Sequence, residues 1–320
     1  MQDSGMSVDK NVILVTGSSG FIGTNLCKML KKSGNCVVGV DIVSPINPES
    51  VSEFHNKDIC NIDWNEINLT RVSSIVHLAA KISVPESIKF PEKYHRVNVI
   101  ATEKLFQAAA EHQVENVVFA SSAACYGDSI EDVKRVGEEG NLNSPYAESK
   151  LQGELLANKY ALPKTKFICF RFFNVYGPGQ SPHSEYSSVI PLFLDQAINN
   201  KNLTIHGDGA QTRDFVNVSD ICKTIINSFS ADLKPFNVIN IGTGEGISII
   251  SLARSIINAV ISSNISTVSQ VITGPSRAGD VLHSTADITE LEKVNSTSNF
   301  ISLNKGLKEL TETFIKSRSN

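Results

Sequence analysis

No two of the six cysteines stand at CxxC spacing, so the sequence offers neither a zinc knuckle nor a dithiol redox motif. Cys27, Cys36, Cys60, Cys125, Cys169 and Cys222 occur singly, most of them inside apolar runs such as KFICFRFF (166–173). That setting predicts reduced, buried thiols and a cytosolic protein. No uninterrupted apolar run approaches ~18 residues, so no membrane-spanning helix is expected. The opening MQDSGMSVDK is polar, without the apolar core of a secretion signal, and residues 1–9 read as a flexible lead-in. Basic residues form no cluster, and a net charge of -4 gives no electrostatic footprint for a nucleic-acid partner. Internal repeats and low-complexity tracts are missing too. What is present is an ordinary globular composition, 41% apolar and 19% charged, over 320 residues: enough for two modest domains or one large α/β unit.

NVILVTG (11–17) is a β-branched run closed by glycine, the pattern of a buried strand. FIGTNLCKMLKKSG (21–34) then spaces Phe21, Ile22, Leu26, Met29 and Leu30 along one helical face, with Gly34 as its stop. CVVGVD (36–41), SSIVHLAA (73–80), ENVVFASS (115–122) and KFICFRFFN (166–174) read as further strands. Between them NVIATEKLFQAAAEHQ (98–113) and SPYAESKLQGELLANKYA (144–161) read as helices, the second opened by Ser144 as N-cap and Pro145 in its first turn. Strand–helix alternation predicts a doubly wound parallel sheet of Rossmann type over 10–176, to which the chain returns near 214–242. Beyond the Pro/Gly/Ser-rich loop YGPGQSPHSEYSS (176–188) the elements shorten. Helices near 189–199, 248–262 and 303–317, with strand-like NLTIHG and FNVINIG, predict a smaller α/β lobe over 177–320. Open α/β sheets bind ligands at the edge such a lobe would cover.

TGSSGFIG (16–23) joins the first strand to the first helix. Gly17 permits a tight turn, Gly20 lets backbone N–H groups approach a pyrophosphate, and Gly23 allows close helix–strand packing. Asp41 ends the second strand, where a carboxylate binds ribose hydroxyls and repels a 2′-phosphate, which favours NAD over NADP. KDIC (57–60) puts Asp58 and Ile59 where adenine would lie. Tyr146 and Lys150 form YxxxK, a spacing that places both on one helical face. Lysine's charge is expected to lower the tyrosine from its reference of about 10 toward neutrality, and so make a general base for an alcohol proton. Ser122, at the end of the preceding strand, is positioned to bridge tyrosine and substrate hydroxyl.

The ordered set TGSSGFIG, HLAA, SSAACYG, YAESK, RFFNVYGPGQ, TRDFVNVSD and RAGDVLHSTAD spans nearly the whole chain. It resembles the extended short-chain dehydrogenase/reductases, and among them the nucleotide-sugar 4-epimerases. The resemblance implies Ser122, Tyr146 and Lys150 as catalytic residues and a bound NAD. Besides the cradle it implies cofactor contacts at Phe21, Ile22, Leu78, Ala79, Ala80 and Phe173, with Asn98 supporting that side. For the nucleotide sugar it implies Arg213, Arg277 and Asp280 at the diphosphate and ribose, guanidinium groups suiting phosphate oxygens. Ser83, Asn174, Gln180, Val189 and Ser284 then fall at the sugar. It further implies a homodimer built on the helices near 98–113 and 144–161.

Sugar dehydratases of that family carry an Asp-Glu pair after the catalytic Ser/Thr, and the related decarboxylases a glutamate. This chain has Ala123 and Ala124, and a methyl group exchanges no proton. Oxidation at C4 to a ketone, rotation of the keto sugar and reduction on its other face need no further acid–base group. Ser284 matches a gate on the sugar pocket. A small side chain there leaves space for a 2-N-acetyl group, which points to UDP-N-acetylglucosamine and UDP-N-acetylgalactosamine, with their uronic acids also in view. The sequence departs from the family at Gly179, where relatives carry arginine, at Asn217, where they carry an aromatic, and at Lys81 after HLAA. A net nucleotide-sugar reductase and a non-catalytic NAD-binding regulator remain alternatives at this point.

Overall fold

The computed structural model describes residues 11–180, 188–276 and 281–318. The first part of the chain runs β1 (Val12–Thr16), α1 (Phe21–Lys32), β2 (Cys36–Asp41), β3 (Glu53–Asn56), β4 (Val72–His77), α2 (Val84–Lys89), α3 (Pro91–His95), α4 (Ala101–Glu111), β5 (Asn116–Ser122), β6 (Val133–Lys134) and α5 (Pro145–Tyr160). The rest runs β7 (Lys166–Phe172), β8 (Asn174–Tyr176), α6 (Val189–Ile198), β9 (Leu203–His206), β10 (Thr212–Asn217), α7 (Val218–Ser228), β11 (Phe236–Ile241), β12 (Gly246–Ser248), α8 (Ile249–Ser262), β13 (Val271–Gly274), β14 (His283–Ala286) and α9 (Leu303–Arg318).

Every residue of β1 is buried, as a strand covered on both faces must be, and VILVT accordingly has no polar alternation. It sits inside a seven-stranded sheet of order β11-β7-β5-β4-β1-β2-β3, and its pairings with β2 and β4 are both parallel. Strand order reverses at β1, with β2 and β3 on one side of it and β4, β5, β7 and β11 on the other, and such a reversal is where open sheets of this kind take ligands. The α/β fold with a Rossmann-type parallel sheet is thus the one the alternation predicts. The chain divides into two compact units. One holds the described residues up to Cys125 with Ser144–Phe170 and Ile225–Val238; the other holds Tyr126–Asn143 and the described parts of 171–224 and 239–318. In the second unit a sheet of order β12-β10-β14-β6, with β8 also paired to β10, carries its polar residues, and Phe193, Leu252, Ile256 and Leu307 build its core.

Several elements differ from the sequence expectation, short strands such as β3 and the helix α2 among them. KFICFRFFN, read as one strand, is two: β7 belongs to the large sheet, whereas β8 pairs with β10. The residues on both sides of Phe173 have equal strand character, so only their partners separate them. The helix expected from 98 begins at Pro91, and its Arg96–Ile100 turn is π-helical. α7 is an addition, although Val218, Ile221, Cys222 and Ile225 recur at helical spacing and are all fully buried. The lead-in over 1–9 lies outside the described residues. Among the described residues no helix is long and apolar enough to cross a membrane. All six cysteines are free; Cys27, Cys125, Cys169 and Cys222 are buried, Cys36 and Cys60 partly so.

His77, at the end of β4, is 1% exposed and ties three elements together. Its Nδ1 lies 2.7 Å from Thr16 Oγ1 and its Nε2 2.9 Å from Thr102 Oγ1, while Phe119 stacks on it at 5.9 Å between ring centroids. Burial, reinforced by the Lys150 charge, pushes its pKa down to about 3. The folded pKa lies below the reference of 6.5, so the unfolded state takes up a proton first as pH falls. Stability is therefore fully present above pH ~6.5 and declines below it, by up to about 1.4 kcal/mol per pH unit. Chemical denaturation followed through the single tryptophan, Trp64, between pH 7.5 and 5.5 checks this: His77→Gln should flatten the slope.

Candidate active site

The site is built where α5 lies on β5. Ser144 caps α5 by accepting from the Ala147 N–H at 3.2 Å, and Pro145 occupies the first helical position, which fixes where the helix starts and hence which face carries Tyr146. Gly153 lets the two elements touch: a Cβ there would stand 2.4 Å from Phe119 Cζ. The phenylalanine has nowhere to go, being packed edge-on against Phe106 and stacked on His77. This close approach brings Ser122, Tyr146 and Lys150 together. The Ser122 hydroxyl accepts from the Ala124 N–H at 3.1 Å and pulls the Tyr146 phenol's pKa down. Lys150, 3% exposed, donates from Nζ to the Ala120 carbonyl at 2.7 Å, with its ammonium 5.0 Å from the Phe119 ring centre and 6.0 Å from that of Tyr146.

The electrostatics run opposite to the expectation for the phenol. Burial pushes Tyr146 up to about 12, against the smaller downward pull of the Ser122 hydroxyl. Burial also pushes the Lys150 ammonium down to about 8, with Cys125 and Glu154 pulling it back up. The lysine ammonium is bonded to the Ala120 carbonyl, and burial outweighs the other influences on the phenol. At neutral pH the pair is therefore a protonated phenol beside an ammonium close to its titration point.

Four residues unmarked by motif reading support this face. Tyr94 is fully buried, meets the Tyr146 ring edge-on at 6.4 Å, and donates from its hydroxyl to Glu86 at 2.9 Å. Ser149 donates to the Tyr146 carbonyl at 2.8 Å. Ser121 donates to Glu154, which is 3% exposed. Tyr94 left no sequence signal, but Glu154 did: it continues the i, i+4 series Tyr146–Lys150 by one turn.

The glycine turn has the shape its spacing predicts. Gly17 has φ +69°, and a Cβ on it would lie 2.7 Å from the Ala79 nitrogen; one on Gly23 would lie 2.0 Å from the Gly17 carbonyl oxygen. Leu78 and Ala79 thus border the turn, with Ala80 next in the chain, and the Leu78 N–H donates to the Thr16 carbonyl at 3.1 Å. Gly20 is the N-cap of α1 and offers no side-chain acceptor, so the first N–H groups of Phe21, Ile22 and Gly23 have no capping partner from it. Asp41 accepts from the Ser19 N–H at 2.9 Å and the Val43 N–H at 3.0 Å, which sets its carboxylate beside the turn. Asp58 is exposed and accepts from the Cys60 N–H at 2.9 Å, and Ile59 is buried. An uncapped helix start, a Cβ-free turn and an adjacent carboxylate fit a dinucleotide diphosphate and ribose.

Other expected residues have structural duties in view. Asn98 is 1% exposed and is a strut: it accepts from the Lys81 N–H at 2.8 Å and donates to the Lys81 carbonyl at 2.9 Å and Ser149 Oγ at 3.0 Å. Ser83 is the buried N-cap of α2, accepting from the Glu86 N–H at 3.0 Å. In the second unit Arg213 and Ser284 are register partners on β10 and β14, and Asn174 pairs with β10 at Phe215, further along the strand. Arg213 donates to the Thr212 carbonyl at 2.8 Å. Gln180 donates to the Val175 carbonyl at 3.4 Å, Val189 opens α6, and Phe173 is buried against Tyr126. Gly179 is exposed with φ +93°, and Asn217 is buried, accepting from the Ser219 N–H at 2.9 Å at the start of α7. Arg277 and Asp280 lie outside the described residues.

A profile of the NAD dependent epimerase/dehydratase family matches residues 13–242. The chain belongs to this family. NAD is accordingly its cofactor, and nucleotide sugars are the substrates of its relatives. A UDP-glucose 4-epimerase of Mycolicibacterium smegmatis is 32% identical over 94% of this chain and 97% of its own. The solved structure of a UDP-N-acetylglucosamine 4-epimerase from Methanobrevibacter ruminantium, in complex with UDP-N-acetylmuramic acid, is 33% identical with a TM-score of 0.88, covering 97% of this chain and 99% of that one. MoeE5 in complex with UDP-glucuronic acid and NAD is 31% identical with a TM-score of 0.82, covering 96% and 100%.

Within this epimerase/dehydratase, the Gly153–Phe119 contact is the one a single methyl should break. Gly153→Ala is expected to lower the unfolding free energy by about 1–3 kcal/mol through overpacking, read by urea denaturation with Trp64 as reporter. An unchanged midpoint would mean that α5 is free to lift from β5.

Proposed function

We propose that this protein is a 4-epimerase acting on UDP-N-acetylglucosamine and UDP-N-acetylgalactosamine, with the corresponding uronic acids as further candidates. The observation that carries the reading is the pairing of an assembled Ser122–Tyr146–Lys150 group with alanines at 123 and 124. The first suffices to move a proton at a C4 hydroxyl, and the second withholds the extra acid and base that elimination or decarboxylation would use.

Gly17, Gly20, Phe21, Ile22, Gly23 and Asp41 would hold the cofactor. Bound NAD supplies a two-electron acceptor that returns what it takes. Tyr146 carries the proton of the C4 hydroxyl and Ser122 bridges phenol and sugar. The Lys150 ammonium and a positively charged nicotinamide both favour the phenolate, opposing the burial that holds the phenol near 12. The grip belongs on the nucleotide diphosphate, where Arg213 offers a forked donor, and not on the sugar, which must turn over between the two half-reactions. Ser284, half-buried beside Arg213 in register, leaves space for an acetamido group. Exposed Ile100 and Leu155, 44% and 63% accessible on neighbouring helices, support a homodimer through that face, and the free thiols support a cytoplasmic setting.

Product analysis with UDP-N-acetylglucosamine, UDP-glucose and UDP-N-acetylglucosaminuronate in parallel, with no NAD added, tests the reading. Epimer should form from an acetylated sugar on cofactor that survives purification. Turnover of UDP-glucose alone removes the substrate assignment, and release of reduced cofactor without epimer removes the reaction. Tyr146→Phe should cut turnover by about 10²–10⁴-fold while retaining NAD.

A further inference from the structure

Three successive residues of β5 meet three side chains that α5 presents one turn apart. The Ser122 hydroxyl lowers the Tyr146 phenol's pKa, the Ala120 carbonyl accepts from Lys150 Nζ at 2.7 Å, and the Ser121 hydroxyl donates to Glu154. Ser121, Lys150 and Glu154 are each 3% exposed. A carboxylate held this far from water is stable only with donors or a counter-charge, and one helical turn away is an ammonium that burial is driving toward neutrality. The groups facing Lys150 among the described residues are Tyr146 and Glu154 from α5, the Ala120 carbonyl and Phe119 ring from β5, the Cys125 thiol just beyond β5, and the neutral His77 imidazole from β4. Glu154 is the carboxylate of that set. Ser121 also lies 3.6 Å from Cys125 Sγ, so one hydroxyl locates both groups that pull the lysine back toward its charged form.

We propose that Glu154 is a positioning residue for the Tyr146–Lys150 pair: clipped by Ser121, its buried carboxylate keeps the lysine charged and holds α5 in register on β5. This rests on the proton-transfer role proposed above for Tyr146 and Lys150. Glu154 is buried on α5 one turn beyond Lys150. It acts through Lys150, whose ammonium must persist if the phenol is to give up its proton at neutral pH.

The test is titration of the Lys150 ε-carbon by NMR in the full-length chain, the signal being assigned by its loss in Lys150→Arg. Wild type should titrate near 8. Glu154→Gln, isosteric but uncharged, should lower that midpoint by about one unit, and Glu154→Asp should recover part of it. A folded Glu154→Gln chain with an unmoved Lys150 midpoint overturns the proposal. If Glu154→Gln does not fold, Ser121→Ala decides, because it leaves the carboxylate and removes its donor; a smaller downward move supports the proposal and none overturns it. With an epimerising wild type, the alkaline limb of kcat against pH should move down with the midpoint while KM for the UDP-sugar stays put. A wild type that epimerises nothing defeats the functional reading, yet the titration still decides what Glu154 does to Lys150.

Discussion

Everything in the candidate site depends on how closely one helix approaches one strand. Gly153 removes the atom that would keep α5 off β5, and Phe119, wedged by His77 and Phe106, supplies the flat surface against which the helix stops. Side chains on a helix face recur every turn, so this single contact sets the height of Tyr146, Lys150 and Glu154 over the end of β5 together. A displacement of the helix would move all three. The small residue is therefore as much part of the chemistry as the ionisable ones.

The same closeness explains the electrostatic character of the face. Packing excludes water, and three groups on this face shift toward their neutral forms: His77 down, Lys150 down, Tyr146 up. The structure answers with directed polar partners: threonine hydroxyls on both nitrogens of His77 and a strand carbonyl for Lys150. A phenol held high and a lysine held low form a pair whose proton affinity a nearby positive charge can change sharply, which suits a reaction run forward and then backward on one substrate.

Much of this was legible in the residues. The glycine spacing of TGSSGFIG, Asp41 at the end of β2 and the alternation of buried strands with amphipathic helices all come from local rules, and the large sheet and the cradle obey them. YxxxK gave the helix face. The direction of the tyrosine shift was misjudged because spacing reports proximity of charge but not the loss of water, and here burial is the larger effect. Ser83 and Asn98, which the resemblance implies at the sugar and on the cofactor side, also serve as a cap and a strut, and those bonds carry no local sequence signal.

What the sequence determined by itself were features whose cause lies within a few residues: strand and helix periods, the cap at Ser144, the turn at Gly17, and the absence of acid–base groups at 123 and 124. What only the tertiary structure decided were questions of partnership. Residues 166–176 could have continued as one strand, and it is β10 that draws β8 away from the large sheet. Glu154 could have been a solvated helix carboxylate, and it is β5 that buries it against Ser121. The reason is the same in both cases: a local pattern fixes which way a side chain points along its own element, whereas what it meets there depends on residues far away in the chain.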